Sequence, residues 1–234
     1  MIQVAYTNSN CSDLWDVFQK QTKKHSNIPL YMISDKEVDN VNLSGLFIYK
    51  NEDPYYKVWV DALSRFSSEY FIYLQEDFFL YDGVNQNKIN EYLQFLKNNP
   101  EYSFVRLIKS GQLGEKKLSD TLYEIESSNP FIFAMQATIW RTSDYIRLME
   151  SVKEDKWLET SKYQYTMNRM CMKGAYHYDN EPKRGGNHYD TNVYPYIATA
   201  LVKGKWIMSE YSKELSPILI ENNIDQNKRG IIWF

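Results

Sequence analysis

Cysteine is scarce in this sequence, and its two cysteines, Cys11 and Cys171, fit no CxxC or Cys/His spacing. This excludes a disulfide framework and a cysteine-ligated metal site as the basis of the fold. Long apolar runs are also missing, since no segment approaches the roughly 18 residues that a membrane-spanning helix needs. The first ten residues, MIQVAYTNSN, lack the basic and apolar regions of a signal peptide. We therefore expect a cytoplasmic protein whose only membrane contact is peripheral.

Basic charge is not in excess either. The chain has 27 lysines and arginines against 30 aspartates and glutamates, for a net charge of −3. Such a chain offers no broad positive surface for duplex nucleic acid, and we expect no nucleic-acid partner. No Pro/Gly/Ser-rich linker and no shift of composition divides the 234 residues. We interpret residues 1–234 as a single domain, although the length alone would allow two.

Strands and helices alternate through the first 110 residues. The pattern predicts strands at residues 2–7, 29–34, 46–49, 70–74 and 102–108, separated by helices at 13–24, from Pro54 onward and at 85–98. This alternation is typical of βαβ units, and it predicts an α/β fold with a mostly parallel central sheet.

The second half of the chain has a mixed pattern. An apolar stretch at residues 131–140 is followed by a short helix that Ser143 caps, and residues 160–172 favour another helix. From Lys173 the chain reads as loops up to short strands at 196–202 and 205–208. We therefore expect an elaborated C-terminal half rather than further βαβ units.

Polar residues collect where the predicted strands end. They are Thr7 and Asn8 after the first strand, Asp35 after the second, Lys50 after the third, and Glu76 and Asp77 after the fourth. In open α/β sheets, ligands bind outside the carboxyl ends of the strands. The sequence therefore predicts a ligand site at this edge of the sheet.

The acidic pair in YLQEDFFLYD has the clearest chemical meaning. Glu76 and Asp77 repel each other at the end of a buried strand, so a partner should offset their charge. Mg²⁺ and Mn²⁺ favour carboxylate oxygens and share their coordination with the phosphates of a nucleotide. The alternative is that one acid caps the next turn while the other is solvated.

Several segments resemble GT-A-type glycosyltransferases of bacterial and viral surface-glycan clusters. They are VWVDALSRFSSEYFIYLQEDFFLYDG, NPFIFAMQATIWRTSDYIRLME, DKWLET and VKGKW, about a third of the chain, with QEDFF and QATIW the most specific parts. The resemblance implies a single GT-A-like (Rossmann-like) domain that transfers a sugar from a UDP-linked donor to a glycan or glycolipid. Residues 1–110 would then bind the nucleotide sugar and residues 111–234 the acceptor.

The acidic motif departs from the family pattern, in which two aspartates stand one residue apart. Here Phe78 occupies the second acidic position after Glu76 and Asp77. The resemblance implies Asp77 as the main ligand of a divalent cation, Mn²⁺ or Mg²⁺, with Glu76 as a second donor-side ligand. The alternatives are that Asp77 acts alone with diphosphate and water, or that the chain depends little on metal.

The resemblance assigns further residues to the donor. Thr7 and Asn8 would lie near the base or ribose, and Asp35 would accept a hydrogen bond from uracil N3 or a ribose hydroxyl. Arg65 is a candidate for phosphate, since a guanidinium binds anions with a planar fork, or it is a surface arginine. Arg106 interrupts an apolar strand and is expected to be paired and to serve the donor side.

The acceptor side carries the predicted base. Glu159 is the candidate general base and Trp157 the platform for the acceptor sugar, with Asp155 as the alternative base. His188 follows the loop Lys183–Gly186, whose two cations and two glycines suit a mobile loop that closes over phosphate. We expect His188 to contact the donor or to be a late metal ligand; the alternative is an accidental, solvated repeat.

Two other functions fit the sequence less closely. The incomplete acidic motif favours an inactive carbohydrate- or nucleotide-binding α/β module as the main alternative. A nucleotidyltransferase fits less well, because no glycine-rich segment follows the first strand.

Overall fold

The computed structural model describes residues 1–39, 42–153 and 160–232. The strands are β1 (Ile2–Tyr6), β2 (Leu30–Ser34), β3 (Gly45–Ile48), β4 (Tyr70–Gln75), β5 (Tyr102–Arg106), β6 (Leu122–Ile125), β7 (Thr138–Arg141), β8 (Lys173–His177), β9 (Lys183–Arg184), β10 (His188–Tyr189), β11 (Leu201–Val202), β12 (Lys205–Ile207) and β13 (Ile231–Ile232). The helices are α1 (Trp15–His25), α2 (Tyr55–Phe66), α3 (Gln86–Asn98), α4 (Thr142–Val152), α5 (Thr160–Arg169) and α6 (Ser212–Glu221). Short 3₁₀ turns cover Ser9–Leu14 and Gln226–Lys228.

In the described part of the chain, eight strands form the central sheet, in the order β3-β2-β1-β4-β7-β5-β8-β6. β3, β2, β1 and β4 are mutually parallel, and β5 is parallel to β8. β7 runs antiparallel to both β4 and β5, and β6 antiparallel to β8. The prediction of an α/β fold with a mostly parallel sheet is confirmed.

The central strands are buried on both faces because helices cover the sheet on either side. Successive side chains of a strand point to opposite faces. Ala5 and Leu74 accordingly pack in a core with α1, α3 and α6, while Val4 and Tyr73 pack in a second core with α2, α4 and α5. An unbroken apolar strand is therefore what this layered architecture requires.

The second half differs from the sequence-based expectation at several points. Strand structure in the stretch 131–140 begins only at Thr138, and in 196–202 only at Leu201. β8 lies inside the central sheet, where the sequence predicted loop. Gly174 in β8 is a close-packing residue: a Cβ there would stand 2.0 Å from the Phe104 ring. A glycine is typical of a loop, but Gly174 instead allows the Phe104 ring to pack directly on the backbone of β8.

Helix α6 was also not predicted, since Pro217 stands inside it. Proline removes a backbone donor and usually ends a helix, so Pro217 argues against a helix at this position. Within the described ranges, no helix is long and apolar enough to cross a membrane.

Candidate functional site

The carboxyl ends of β1, β2 and β4 lie side by side. Tyr6 pairs with Ile33 of β2 on one side and with Gln75 of β4 on the other. The polar residues that follow these strands therefore share one edge of the sheet, as predicted. Lys50, after β3, is exposed.

The residues after β1 organise the first turn of this edge. Thr7 is fully buried, and its hydroxyl accepts a hydrogen bond of 2.6 Å from the Trp15 indole N–H. The Asn8 carboxamide accepts from the backbone N–H of Asn10 at 3.0 Å and so caps the following 3₁₀ turn. Thr7 thus fixes Trp15 from inside the fold, while Asn8 is half-buried at the surface of the edge.

Asp35 has one carboxylate oxygen that accepts a hydrogen bond and one that is unpaired. Ser9 Oγ donates to Oδ2 at 2.7 Å, whereas Oδ1 is buried and has no hydrogen-bond partner among the described residues. Buried acceptors are normally paired, so this oxygen is suited to a donor that a ligand brings. A cleft of about 580 Å³ is lined by Trp15, Gln19 and Val38, together with the carboxylates of Asp16, Glu37 and Asp39.

Glu76 and Asp77 occupy a turn after β4, in which Phe78 N–H donates to the Gln75 carbonyl at 3.1 Å. Both acids are half-buried. Burial raises the pKa of Glu76, and the Cys11 thiol, which donates a hydrogen bond to it, opposes the rise. Burial and the neighbouring Glu76 charge raise the pKa of Asp77 to about 7. The negative charge of this turn is therefore only partly offset by the protein.

Two backbone donors and one arginine face this acidic turn. Leu201 N–H donates to Asp77 Oδ2 at 3.3 Å, and the Ala200 N–H also lowers the pKa of Asp77. Arg229 pairs with Asp13 and lowers the pKa of Glu76 through its charge. Sequence reasoning missed both contributions, because a backbone donor and an arginine over 120 residues away leave no local signal.

Aromatic packing fixes the position of the acids. Phe78 and Phe79 are buried, with Phe78 4.9 Å from the Tyr196 ring and Phe79 6.4 Å from Trp206. Ile197 N–H donates to the Phe79 carbonyl at 3.0 Å. Because the Phe78 side chain points into the core, the position after Asp77 supplies no ligand.

Gln136 connects the second side of the edge to this packing. Its carboxamide accepts from the Tyr196 hydroxyl, and its Nε2 lies 3.0 Å from His188 Nε2. His188 Nδ1 lies 3.6 Å from Glu210 Oε2. Burial lowers the pKa of His188, with Glu210 opposing it. His188 is thus linked to Phe78 through Gln136 and Tyr196 rather than placed beside Asp77.

The residues before His188 form one strand of a short hairpin. Lys183–Arg184 pairs antiparallel with His188–Tyr189. Arg184 donates to Asp190 at 2.8 Å and to Glu214 at 2.7 Å. Its guanidinium is therefore committed to carboxylates, which corrects the expectation that both cations of this loop are available to phosphate.

Arg106 is buried and holds backbone carbonyls. Its guanidinium donates to the carbonyls of Ser110 at 3.3 Å, Phe131 at 2.8 Å and Ile132 at 2.9 Å, and burial lowers its pKa to about 10. It therefore positions two loops. Arg65 is exposed in the last turn of α2, at the end of the helix that leads into the start of β4, and the structure does not bring it to the carboxyl edge.

The predicted acceptor residues Asp155, Trp157 and Glu159 lie outside the described residues. Among the described residues, no three His, Cys, Asp or Glu side chains are grouped to hold a metal ion. The two acids of the turn would supply two oxygen ligands, which fits a cation whose remaining positions a diphosphate and water fill.

No protein-family model matches the chain, and no curated protein matches it. Solved structures with a similar fold include CMP:2-keto-3-deoxy-manno-octonic acid synthetase complexed with CTP, at 9% identity over 75% of this chain and 88% of that chain, with a TM-score of 0.48. A cytidylyltransferase from Leptospira borgpetersenii serovar Hardjo-bovis matches at 12% identity over 97% and 96%, with a TM-score of 0.47.

S. aureus TarS, residues 1–349, matches at 13% identity over 82% of this chain and 60% of that chain, with a TM-score of 0.48, and also matches in complex with UDP. Because these identities and TM-scores are low, we infer the function from the residues of the chain itself.

Proposed function

We propose that this chain is a glycosyltransferase that moves a sugar from a UDP-linked donor to a glycan or glycolipid acceptor. The observation that carries the proposal is the acidic turn at the carboxyl end of β4. Glu76 and Asp77 are half-buried there, and both have raised pKa values. A raised carboxyl pKa means that the ionised form lacks compensation. A cation that brings a diphosphate would supply it.

The donor side offers a place for the nucleoside. The unpaired Oδ1 of Asp35 would accept from uracil N3 or a ribose hydroxyl, and the cleft beside Trp15 has room for a base. Asn8 lies on the surface of the same edge. Thr7 would contribute indirectly, by holding the Trp15 ring in place.

Glu76 and Asp77 would hold Mn²⁺ or Mg²⁺, and the ion would stabilise the charge that develops on the diphosphate leaving group. The Leu201 and Ala200 N–H groups donate hydrogen bonds to the Asp77 carboxylate and restrict its orientation. Phe78 and Phe79 anchor the backbone of the turn that carries the two carboxylates.

The acceptor hydroxyl needs a general base. We assign that role to Glu159, with Asp155 as the alternative, and assign Trp157 to stacking against the acceptor sugar. A glycolipid acceptor would bring the protein to a membrane surface.

A second candidate is a binding module without transferase activity, and one observation favours it. Phe78, which packs against Tyr196, occupies the position of the second acid in the family motif. The turn therefore lacks the carboxylate that the family pattern has at this position. This candidate predicts that UDP-sugars bind without turnover.

Hydrolysis of a panel of UDP-sugars in the presence of Mn²⁺ separates these functions. We expect Asp77→Asn to lose activity by about a hundredfold or more, the scale seen when one stabilising group of a developing anion is removed. The matched control is Asp120→Asn, an exposed aspartate. Glu159→Gln should lose transfer to acceptor and keep donor binding.

Each outcome decides between the candidates. Binding without any turnover supports the module. Full activity of Asp77→Asn would rule out its metal role, and a panel in which no UDP-sugar binds would rule out the enzyme. Unchanged transfer by Glu159→Gln would remove that residue as the base.

A further inference from the structure

A second cleft lies between the loop after β5 and the β9–β10 hairpin. It has a volume of about 350 Å³. We call it the lysine cleft, and define it by Lys109, Gln112, Phe131, Lys183, Asn187 and Tyr189. Gly111 N–H donates to the Asn187 carbonyl at 2.9 Å and Tyr189 N–H to the Lys109 carbonyl at 3.1 Å, which joins its two walls. The cleft is therefore formed by ordered backbone rather than by side chains alone.

The charge of the lysine cleft is positive. Its lining includes Lys109 and Lys183 and no aspartate or glutamate. Neither lysine forms an ion pair with any residue in the described ranges. In a chain with a net charge of −3, two uncompensated cations on one cleft favour an anionic ligand.

Lys109 is held in place without being neutralised. Its Nζ lies 4.2 Å from the centroid of the Tyr178 ring and 4.9 Å from that of Tyr189. The two rings meet edge to face, with centroids 5.2 Å apart. A cation over aromatic faces is attracted to them but keeps its net charge. The ammonium is thus positioned in advance for an anion.

The other walls suit a sugar rather than a small inorganic anion. Phe131 exposes 38% of its surface and Tyr189 also lines the cleft, so the cleft offers aromatic groups for contact with the apolar side of a pyranose. Gln112 and Asn187 carry amides that can both donate to and accept from hydroxyls. Gly111, at φ +82°, lets the Phe131 ring lie against the backbone, since a Cβ there would stand 2.7 Å from it.

We propose that the lysine cleft binds a sugar carrying an anionic group, a carboxylate or a phosphate. The assignment of this cleft as the acceptor subsite rests on the proposed function. His188, which lies between two lining residues, is connected to Phe78 of the acidic turn by contacts through Gln136 and Tyr196. The acceptor of the transfer is then an acidic glycan, whose charge Lys109 and Lys183 recognise.

Titrations followed by NMR test this on the full chain, with methyl glucuronide, glucose 6-phosphate, methyl glucoside and inorganic phosphate as probes. We expect one or both acidic sugars to bind at least about tenfold more tightly than methyl glucoside and inorganic phosphate, as hydrogen bonds to a charged group allow. The tighter of the two acidic sugars identifies the carboxylate or the phosphate as the recognised group. Lys109→Gln should weaken this binding by about tenfold.

Lys97→Gln is the matched control, since Lys97 is exposed near the end of α3, which leads to the start of β5 at the opposite edge. The proposal would be overturned if neither acidic sugar binds, if methyl glucoside binds as tightly as the acidic sugars, or if inorganic phosphate binds more tightly than they do. It would also be overturned if Lys109→Gln and Lys97→Gln weaken binding equally.

Titration with UDP and Mn²⁺ separates the two proposals. If UDP binds and the acidic sugars do not, the lysine cleft proposal fails alone. If the acidic sugars bind and UDP does not, the transferase fails and the lysine cleft remains a glycan-binding site.

Discussion

The carboxyl edge of the central sheet carries opposite charges on its two sides. The side of β1, β2 and β4 carries the carboxylates of Asp35, Glu76 and Asp77, whose negative charge the protein pairs only in part. On the side of β5 and the β9–β10 hairpin, Lys109 and Lys183 face a cleft without a carboxylate. The acidic side is complementary to a cation that carries a nucleotide, and the lysine cleft is complementary to an anion. Under the proposed function, the donor and the acceptor would be recognised by opposite charges at the same edge of the sheet.

The two sides also differ in what holds them. Asp77 is positioned by segments far away in sequence, through Leu201 N–H and the packing of Phe78 on Tyr196. The lysine cleft depends on Arg106, whose buried guanidinium fixes the carbonyls of Ser110 and Phe131 on two of its walls. Each support can be removed separately, which allows the comparison to be tested.

The largest effect is expected from Arg106→Ala. It leaves the carbonyls of Ser110, Phe131 and Ile132 without their buried donor, and we expect a loss of about 3 kcal/mol in the free energy of unfolding. Urea denaturation measures this. At a temperature where the variant is folded, binding of acidic sugars should be lost and binding of UDP retained.

Arg169→Ala is the control for that variant, because Arg169 is exposed at the end of α5. Equal stability of the two variants would contradict the role of Arg106. Equal loss of UDP binding would show that the two sides are not separately supported.

The next effect is a dependence of stability on pH. The pKa of Asp77 is raised to about 7, whereas an unfolded chain has an aspartate pKa near about 3.9. The folded state therefore binds this proton more tightly, and that stabilisation is lost as the pH rises toward about 7. The advantage of Asp77→Asn over the wild type should grow by roughly 2 kcal/mol between about pH 5 and pH 8.

Urea denaturation at both pH values gives this difference, with Asp120→Asn as the control that should follow the wild type. Mn²⁺ with UDP should raise the stability of the wild type more at the higher pH and leave Asp77→Asn unchanged. If the free energies of unfolding of the wild type and Asp77→Asn change equally with pH, the raised pKa of Asp77 is contradicted.

The smallest effect is expected from Thr7→Val, which removes the acceptor of the buried Trp15 N–H. We expect a loss of about 1 to 2 kcal/mol in stability. Because Trp15 lines the larger cleft, UDP binding should weaken while binding of acidic sugars stays unchanged. Thr7→Ser keeps the hydroxyl and should resemble the wild type in UDP titrations. A Thr7→Val protein with normal UDP affinity would show that Trp15 does not serve the donor.

The first half of the fold could be predicted because its signals are local. β1, β2, β3 and β4 are runs of apolar residues between helices with a clear apolar stripe, and their bounds agree with the prediction within one or two residues. β8 could not be predicted in this way. Its residues, KGAYH, include a lysine and a glycine, and only the neighbouring β5 and β6 make a strand of them.

The candidate site divides in the same manner. The rule that ligands bind at the carboxyl ends of parallel strands predicted from sequence that Asp35, Glu76 and Asp77 lie at one edge of the sheet, and the register of β1, β2 and β4 agrees with that position. It did not show that Cys11 and Arg229 would contact or face the acids, or that Lys109 would rest on two tyrosines. Those relations depend on long-range packing, which no local pattern in a single sequence encodes.

The pairing of Arg229 with Asp13 joins the C-terminal segment to the N-terminal part of the chain. The two residues are 216 positions apart, so the contact closes a loop almost as long as the described chain. Closing a loop of this length costs chain entropy. During synthesis the acidic turn is made before Arg229, so its electrostatic environment is complete only after Arg229 has been added and has paired with Asp13.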